Sequence, residues 1–253
     1  MPATSTDKFL GGRIIAQQPK QGFRSGHDAV LLAASLAPSK PHHICEFGTG
    51  AGVAALCLLA RHPDCRLTGF DINPDMIALA RANAAQNGLA DNFIAIEGDI
   101  TAPLAQLALP SVQQFDAVLA NPPYFDEARI QPLPNASKQQ AFAAPAQALS
   151  LWVRRACALV KARGVVSFIY RADGLARLLA AIDGRLGGLL IQPIAPKASQ
   201  PATRIIVRGQ RDSRAALVIL PPLILQKPDG KPSAEAEAIL RGGAALAFAR
   251  TGE

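Results

Sequence analysis

From residue 42 onward, short apolar runs of strand character alternate with longer segments whose apolar positions recur at helical spacing. His43 to Phe47 is a strand that runs into a glycine turn, and Val53 to Arg61 is a helix lying against a sheet. Arg66 to Asp71 is the second strand. Asn73 then stands at a helix N-cap, with Pro74 at the first helical position, where its missing N–H costs nothing. That helix closes on Asn87-Gly88, a left-handed C-cap. Asn92–Glu97, Phe115–Ala120 and Val165–Tyr170 are further strands, and helices are predicted over Ala146–Lys161 and Asp173–Ile182. Three β-like runs follow, Leu189–Ile194, Arg204–Arg208 and Ala216–Leu220, then a short helix over Ser233–Arg241. The alternation predicts an α/β fold: a doubly wound, mostly parallel sheet of about seven strands with an antiparallel edge strand.

The first forty residues sit outside that rhythm. Gly11 to Ile15 and Gln21 to Arg24 predict a small hairpin, followed by an apolar helix over Asp28–Leu36. The expected organisation is therefore a hairpin and helix over residues 1–40, packed on a single domain over residues 41–253.

The 253 residues suit one α/β domain, and 49% apolar against 18% charged supplies a core and excludes global disorder. The net charge of +7 is unevenly placed. Residues 61–120 carry three basic and seven acidic groups, and residues 121–253 carry eighteen and nine. Two surfaces with different tasks are expected, the basic one suited to a polyanion. Cys45, Cys57, Cys65 and Cys157 form no CxxC pair, so reduced buried thiols are expected rather than disulfides or a zinc site. His27, His42, His43 and His62 show no metal-ligand spacing, and no metal is expected. The N-terminus lacks the apolar stretch of a signal peptide. The longest apolar run, Gly48–Ala60, falls short of the ~20 residues a membrane span needs. A soluble cytoplasmic protein is the expectation.

Between the first strand and its helix lies Glu46-Phe47-Gly48-Thr49-Gly50-Ala51-Gly52. Glycines there allow a tight turn and let a ligand approach main-chain N–H groups. The pattern is GxGxG, with Val53 where a dinucleotide fingerprint would have its last glycine. A pyrophosphate cradle is thus disfavoured. Asp71 ends the second strand, 21 residues after Gly50, where a carboxylate suits the two hydroxyls of a ribose. Asp99 follows the third strand, placed for an adenine amino group. All three features fall at the carboxyl edge of a parallel sheet, where ligands bind.

After the fourth strand the chain reads Asn121-Pro122-Pro123-Tyr124. Two prolines fix φ and remove two N–H donors, so the neighbouring carbonyls point in set directions. Asn121 adds an amide oxygen and Tyr124 an aromatic face, together suited to a planar amino group. Such an amino group is a weak nucleophile because its lone pair is delocalised. Two hydrogen bonds accepted from its protons favour a pyramidal nitrogen, and positioning supplies most of the catalysis.

These motifs and their order resemble class I S-adenosylmethionine-dependent methyltransferases of the NPPY type, a Rossmann-like fold, over residues 40–170. The leader Gly11-Gly12-Arg13, Gln18-Pro19, Gly22 to Asp28 and Leu31-Leu32, and the ending Arg204 to Gly209, resemble the tRNA(Val) adenine-N6 methyltransferase group. The resemblance implies S-adenosylmethionine as cofactor and adenine N6 in RNA, above all in tRNA beside the anticodon, as the methyl acceptor. It implies that Glu46, Gly48, Gly50 and Gly52 hold the methionine end. Asp71 would take the ribose, Ile72 and Ile100 would flank the adenine, and Asp99 would contact its amino group. Asn121, Pro122 and Tyr124 would hold the target base, with Arg24 and Asp28 closing over the site. NPPY also serves methylation of guanine N2 in rRNA and of a glutamine in release factors, which remain alternatives. A nucleotide-binding oxidoreductase or a non-catalytic binding module is a further one, disfavoured by the missing third glycine.

Arg204, Arg208, Arg211 and Arg214 fall within eleven residues, with Arg154 and Arg155 on a nearby helix, a pattern suited to RNA phosphates. The alternative is an ordinary solvated edge strand guarded by charge. Trp152, the sole tryptophan, has helical spacing from apolar neighbours and is expected in the core. Between Phe125 and Ala144 a loop of about twenty residues is expected, and a loop that long beside such a motif reads as a substrate lid.

Overall fold

The structure is a computed structural model that describes residues 3–38, 42–103, 107, 113–123 and 138–248, with side chains from 147 onward in the last span. Strands β1 (Thr4–Phe9) and β2 (Ile14–Pro19) form an antiparallel hairpin. Helix α1 (His27–Ala34) leads to β3 (His43–Phe47), α2 (Val53–Leu59), β4 (Arg66–Asp71), α3 (Pro74–Gln86), β5 (Phe93–Glu97) and β6 (Phe115–Ala120). Then come α4 (Lys138–Leu159), β7 (Val160–Arg171), α5 (Leu175–Ile182), β8 (Leu186–Ala195) and β9 (Arg204–Arg211). Two short strands, β10 (Val218–Ile219) and β11 (Leu223–Ile224), precede α6 (Ala234–Glu237).

Seven strands form the body of the sheet in the order β5-β4-β3-β6-β7-β9-β8, and β10 and β11 both pair in parallel with β8 to make nine. The antiparallel strand, β9, is not at the edge as expected. It lies between β7 and β8 and pairs antiparallel with both. Its run Ile205-Ile206-Val207 is buried on both faces, which an edge strand would leave half wet.

The two faces carry separate cores. One packs α1, α2 and α3 on Ile44, Leu67, Leu119, Ile169 and Ile206. The other packs α4 and α5 on Phe47, Val118, Phe168, Ile205 and Val207. Successive residues of β6 and β9 alternate between them, as strand geometry requires.

Asn73 caps α3 as expected, its side chain accepting from the Asp75 amide at 2.9 Å. Helix α4 starts earlier than expected, at Lys138, so residues 138–144 are helical rather than loop. Lys-Gln-Gln-Ala is made of strong helix formers, and Pro145 hides the continuity from a reader of the sequence. The remainder of that expected loop, and Tyr124, lie outside the described residues. The segment Gln21–Arg24 is a connection to α1; the hairpin is closed instead by the turn at Leu10–Arg13.

Among the described residues no helix is long and apolar enough to cross a membrane, and no group of three His, Cys, Asp or Glu side chains is placed to hold a metal.

Candidate active site

Sheet order decides where a ligand fits. After β5 the chain returns past β3 to β6 on its other side, so the strand order reverses between β3 and β6. A crevice forms at the carboxyl ends of strands around such a reversal. Register sharpens the point: Phe47 lies opposite Phe70 on β4 and Ala120 on β6. The next residue on each strand is Gly48, Asp71 or Asn121, so the three motifs read from sequence share one edge. They line a cleft of about 950 Å³, together with Glu46, Gly50, Ile72, Asp99, Ile100 and Pro122.

The loop after β3 is held from below. The Thr49 amide donates to the Phe70 carbonyl at 2.9 Å, and its hydroxyl donates to Glu46 Oε2 at 2.7 Å. Gly48 has φ +64°, and a Cβ there would lie 2.9 Å from Trp152 Cη2. Gly52 has φ +82° and packs against Phe93 and Ala80 rather than lining the cleft. It stands at the start of α2, beneath the loop.

Asp71 is fastened at both oxygens. The Gly50 amide donates to Oδ2 at 2.8 Å and the Asn73 amide to Oδ1 at 2.9 Å. Each carboxylate oxygen has two acceptor sites, so one remains on each. Asp99 Oδ1 accepts from the Thr101 amide and hydroxyl at 2.8 and 2.6 Å.

Glu46 is only 4% exposed. Burial pushes its carboxyl up to about 8, and the Asp71 charge pushes the same way, against the hydrogen bonds of Thr49 and Ala55. Asn121 Oδ1 is buried and accepts no hydrogen bond among the described residues. An orphaned buried acceptor costs about 1–3 kcal/mol, and this one sits at the cleft.

Arg24 and Asp28 are placed elsewhere. Arg24 Nη2 pairs with Asp7 at 2.6 Å and Asp28 Oδ2 with Arg204 Nε at 2.9 Å, and neither lines the cleft. Their neighbours Phe23, Ser25 and Ala29 do. Sequence reading missed Phe23, Thr49, Trp152 and Arg171 in the wall. Trp152 belongs to the core as expected, edge-on to Phe47, and it also faces the cleft. Thr49 alone had a local signal, being flanked by the loop glycines.

The four clustered arginines do not form one patch. Arg204 and Arg208 share a face of β9 with Ile206, whose core includes α1; Arg204 pairs with Asp28, and Arg208 lies 5.3 Å over the Phe248 ring. Arg211 has the opposite parity, on the α4 side, where its Nη1 donates to the Cys157 and Val160 carbonyls. Arg214 is exposed beyond the strand.

The glycine loop, Asp71, Asp99 and Asn121, gathered around a crevice at the sheet reversal, are the arrangement of a class I S-adenosylmethionine-dependent methyltransferase. A family model described as Methyltransferase domain matches residues 38–182. The chain is 34% identical over 184 residues to a tRNA1(Val) (adenine(37)-N6)-methyltransferase of Porphyromonas gingivalis, covering 70% of each. It is 37% identical over 116 residues to a release factor glutamine methyltransferase of Moorella thermoacetica, covering 46% of this chain and 38% of that protein. Among solved structures, a predicted O-methyltransferase from Agrobacterium tumefaciens superposes with a TM-score of 0.74 at 26% identity, over 88% of this chain and 99% of that one. The chain belongs to the methyltransferase domain family.

Proposed function

We propose that the protein methylates the exocyclic N6 of an adenine in RNA, most specifically in tRNA beside the anticodon. The observation that carries the reading is Asn121 Oδ1, a buried acceptor with no partner among the described residues, at the end of β6 in the cofactor cleft. An N6 amino group supplies the missing donor. Support from the comparisons is the match to the adenine-N6 enzyme, 34% identical over 70% of both chains, against 29% identity over 67% of this chain and 60% of the other for a release factor glutamine methyltransferase.

S-adenosylmethionine supplies an electrophilic methyl group on sulfur. The residues present fit it. No atom lies within 4 Å of where a Cβ on Gly50 would stand, and Asp71 keeps one acceptor site on each oxygen for ribose hydroxyls. On this reading Glu46, Gly48 and Gly50 hold the methionine end, with Gly52 supporting the loop from below. Ile72, 67% exposed at the cleft, and Ile100 take the adenine faces, and Asp99 takes its amino group. Asn121 Oδ1 and the Pro122 carbonyl accept the two protons of the target amino group, and Tyr124 stacks on its ring. That turns the nitrogen lone pair toward the methyl group. There the bound cofactor would supply the methyl group, its sulfur keeping the bonding pair, and the nitrogen would release its extra proton to water. Arg24 and Asp28 act at one remove, through the ion pairs that hold the segment around Phe23. RNA phosphates meet arginines among Arg204, Arg208, Arg211 and Arg214, and the reaction runs in the cytoplasm.

The test is nucleoside mass spectrometry of tRNA from a strain lacking this protein, beside transfer of labelled methyl by the purified chain to unmodified tRNA, rRNA and a release factor. Loss of N6-methyladenosine and labelling of tRNA are expected. Labelling of rRNA guanine or of the release factor instead overturns the proposal.

A further inference from the structure

On the face covered by α4 and α5, a second cavity of about 520 Å³ opens between α4, the turn before β8 and the end of β9. Its wall holds Arg154, Arg155, Arg185 and Arg211 against a single carboxylate, Asp212. We propose that this cavity is a phosphate site, and that it takes the phosphodiester backbone of the RNA whose base enters the cleft. The inference rests on the RNA reading above.

Two of the guanidinium groups are fixed in advance. Arg211 Nη1 donates to the carbonyls of Cys157 and Val160 at 2.9 and 2.8 Å. Arg155 Nε donates to the Ile100 carbonyl at 2.9 Å, and its Nη2 to that of Ala102. A guanidinium has five N–H donors in a planar fork that matches phosphate oxygens, so both keep donors to spare. Arg154 and Arg185 are exposed and make no ion pair among the described residues. Asp212 faces Arg211 at 3.8 Å and is 59% exposed, a pairing that water screens. Burial holds the Cys157 thiol up at about 11 despite Arg185 and Arg211, so it adds no negative charge. Grouping four cations around one hollow costs folding free energy, and a bound anion offsets it.

The cavity is also tied to the catalytic cleft. Arg155 reaches from it to the loop at 100–102, and Ile100 and Thr101 of that loop line the cleft. Trp152, in the cleft wall, lies one turn before Arg155 on α4, about 5 Å along the axis. In sheet register Arg211 lies five residues of β7 away from the level of Asn121, roughly 16 Å at ~3.3 Å per residue, which about five nucleotides of backbone span at ~3.4 Å each.

The test compares the full chain with R154A/R185A, whose replaced side chains are exposed and outside the cleft. Unmodified tRNA is titrated by fluorescence anisotropy across a salt series, and inorganic phosphate and S-adenosylmethionine by calorimetry. The expected result is a loss of about tenfold in tRNA affinity and a salt slope lower by about 2, with cofactor affinity unchanged. R185A alone should lose about half of the slope change. An unchanged tRNA affinity and slope overturns the site as an RNA contact. If phosphate binding is then lost in the double variant, the ligand is a free anion and the RNA assignment falls. A wild-type chain that does not bind tRNA refutes the RNA reading and this inference together, whereas wild-type binding with an unaffected variant refutes this inference alone.

Discussion

Trp152 stands over Gly48, its Cη2 atom 2.9 Å from where a Cβ on Gly48 would sit. The glycine is therefore required twice, by its φ of +64° and by the indole above it. Gly48→Ala should cost about 1–2 kcal/mol from the left-handed backbone alone, and the clash should lower cofactor affinity further. Adding Trp152→Leu should recover part of that affinity and none of the backbone term. Thermal unfolding and cofactor calorimetry on the single and double variants separate the two. Equal losses in both would show that the indole contact is irrelevant.

Asn121→Ala should reduce methyl transfer by at least about 10²-fold, the scale of losing one positioned polar partner at a reacting group. Cofactor binding should persist, because the loop after β3 and Asp71 are untouched. Stability should hold or rise slightly, since the change removes a buried acceptor that has no partner. Single-turnover transfer to tRNA, read beside the melting temperature, checks both halves. A variant that is inactive and also strongly destabilised would mark Asn121 as structural instead.

The legible part of the site is the part that strand ends carry. Glu46, Asp71, Asp99 and Asn121 each close or follow a parallel strand, so their joint placement needs only the alternation of elements and the direction of the chain. Phe23 and Trp152 reach the same cleft from a connection and from a helix, and their register on the sheet is set by packing that no local pattern encodes. The arginines misled for a similar reason. Parity along β9 already separates Arg204 and Arg208 from Arg211, but it matters only because helices cover both faces of that strand. Placing β9 inside the sheet required knowing that β8 lies beyond it.

Glu46 makes stability depend on pH. Its carboxyl sits at about 8 in the folded chain against an ordinary 4.5, raised by burial first. Below pH 4.5 both states hold the proton and the group has no effect. Between pH 4.5 and 8 the unfolded chain ionises while the folded one keeps its proton, so stability falls as pH rises. Above that window the deficit is constant, at roughly 3–5 kcal/mol. Glu46→Gln should flatten the decline and be the more stable protein at pH 8. A cationic ligand beside Glu46 favours its ionised form, so cofactor binding near pH 7 should release a proton in wild type and none in Glu46→Gln. Urea titrations across pH, and calorimetry in buffers of different ionisation enthalpy, measure these quantities. An identical pH slope in the two proteins would place the Glu46 carboxyl at an ordinary value.

Asn83 on α3 and Asn87 at its C-terminal cap, one turn apart, hold β2 as a neighbouring strand would. Asn83 Oδ1 accepts from the Gln17 amide at 2.8 Å, and its Nδ2 donates to the carbonyls of Gln17 and Ala51 at 3.0 and 2.9 Å. Asn87 repeats the pattern on Ile15, accepting from the amide at 2.9 Å and donating to the carbonyl at 2.7 Å. Strand β2 leads into Pro19, Gln21, Gly22, Phe23 and Ser25 of the cleft wall. Asn83 is fully buried, so Asn83→Ala strands three main-chain groups at once and should cost about 2–4 kcal/mol. It should also free the hairpin from α3, with faster amide exchange over residues 14–19 and a KM for cofactor that rises more than kcat falls. Asn83→Asp keeps the acceptor for the Gln17 amide but sets a buried carboxyl oxygen against the Gln17 and Ala51 carbonyls, so it should cost at least as much as alanine at neutral pH and less once acid protonates it. Slow exchange at Gln17 in the alanine variant would show that β1 alone secures the strand, and that the asparagine ladder contributes little to the shape of the cleft.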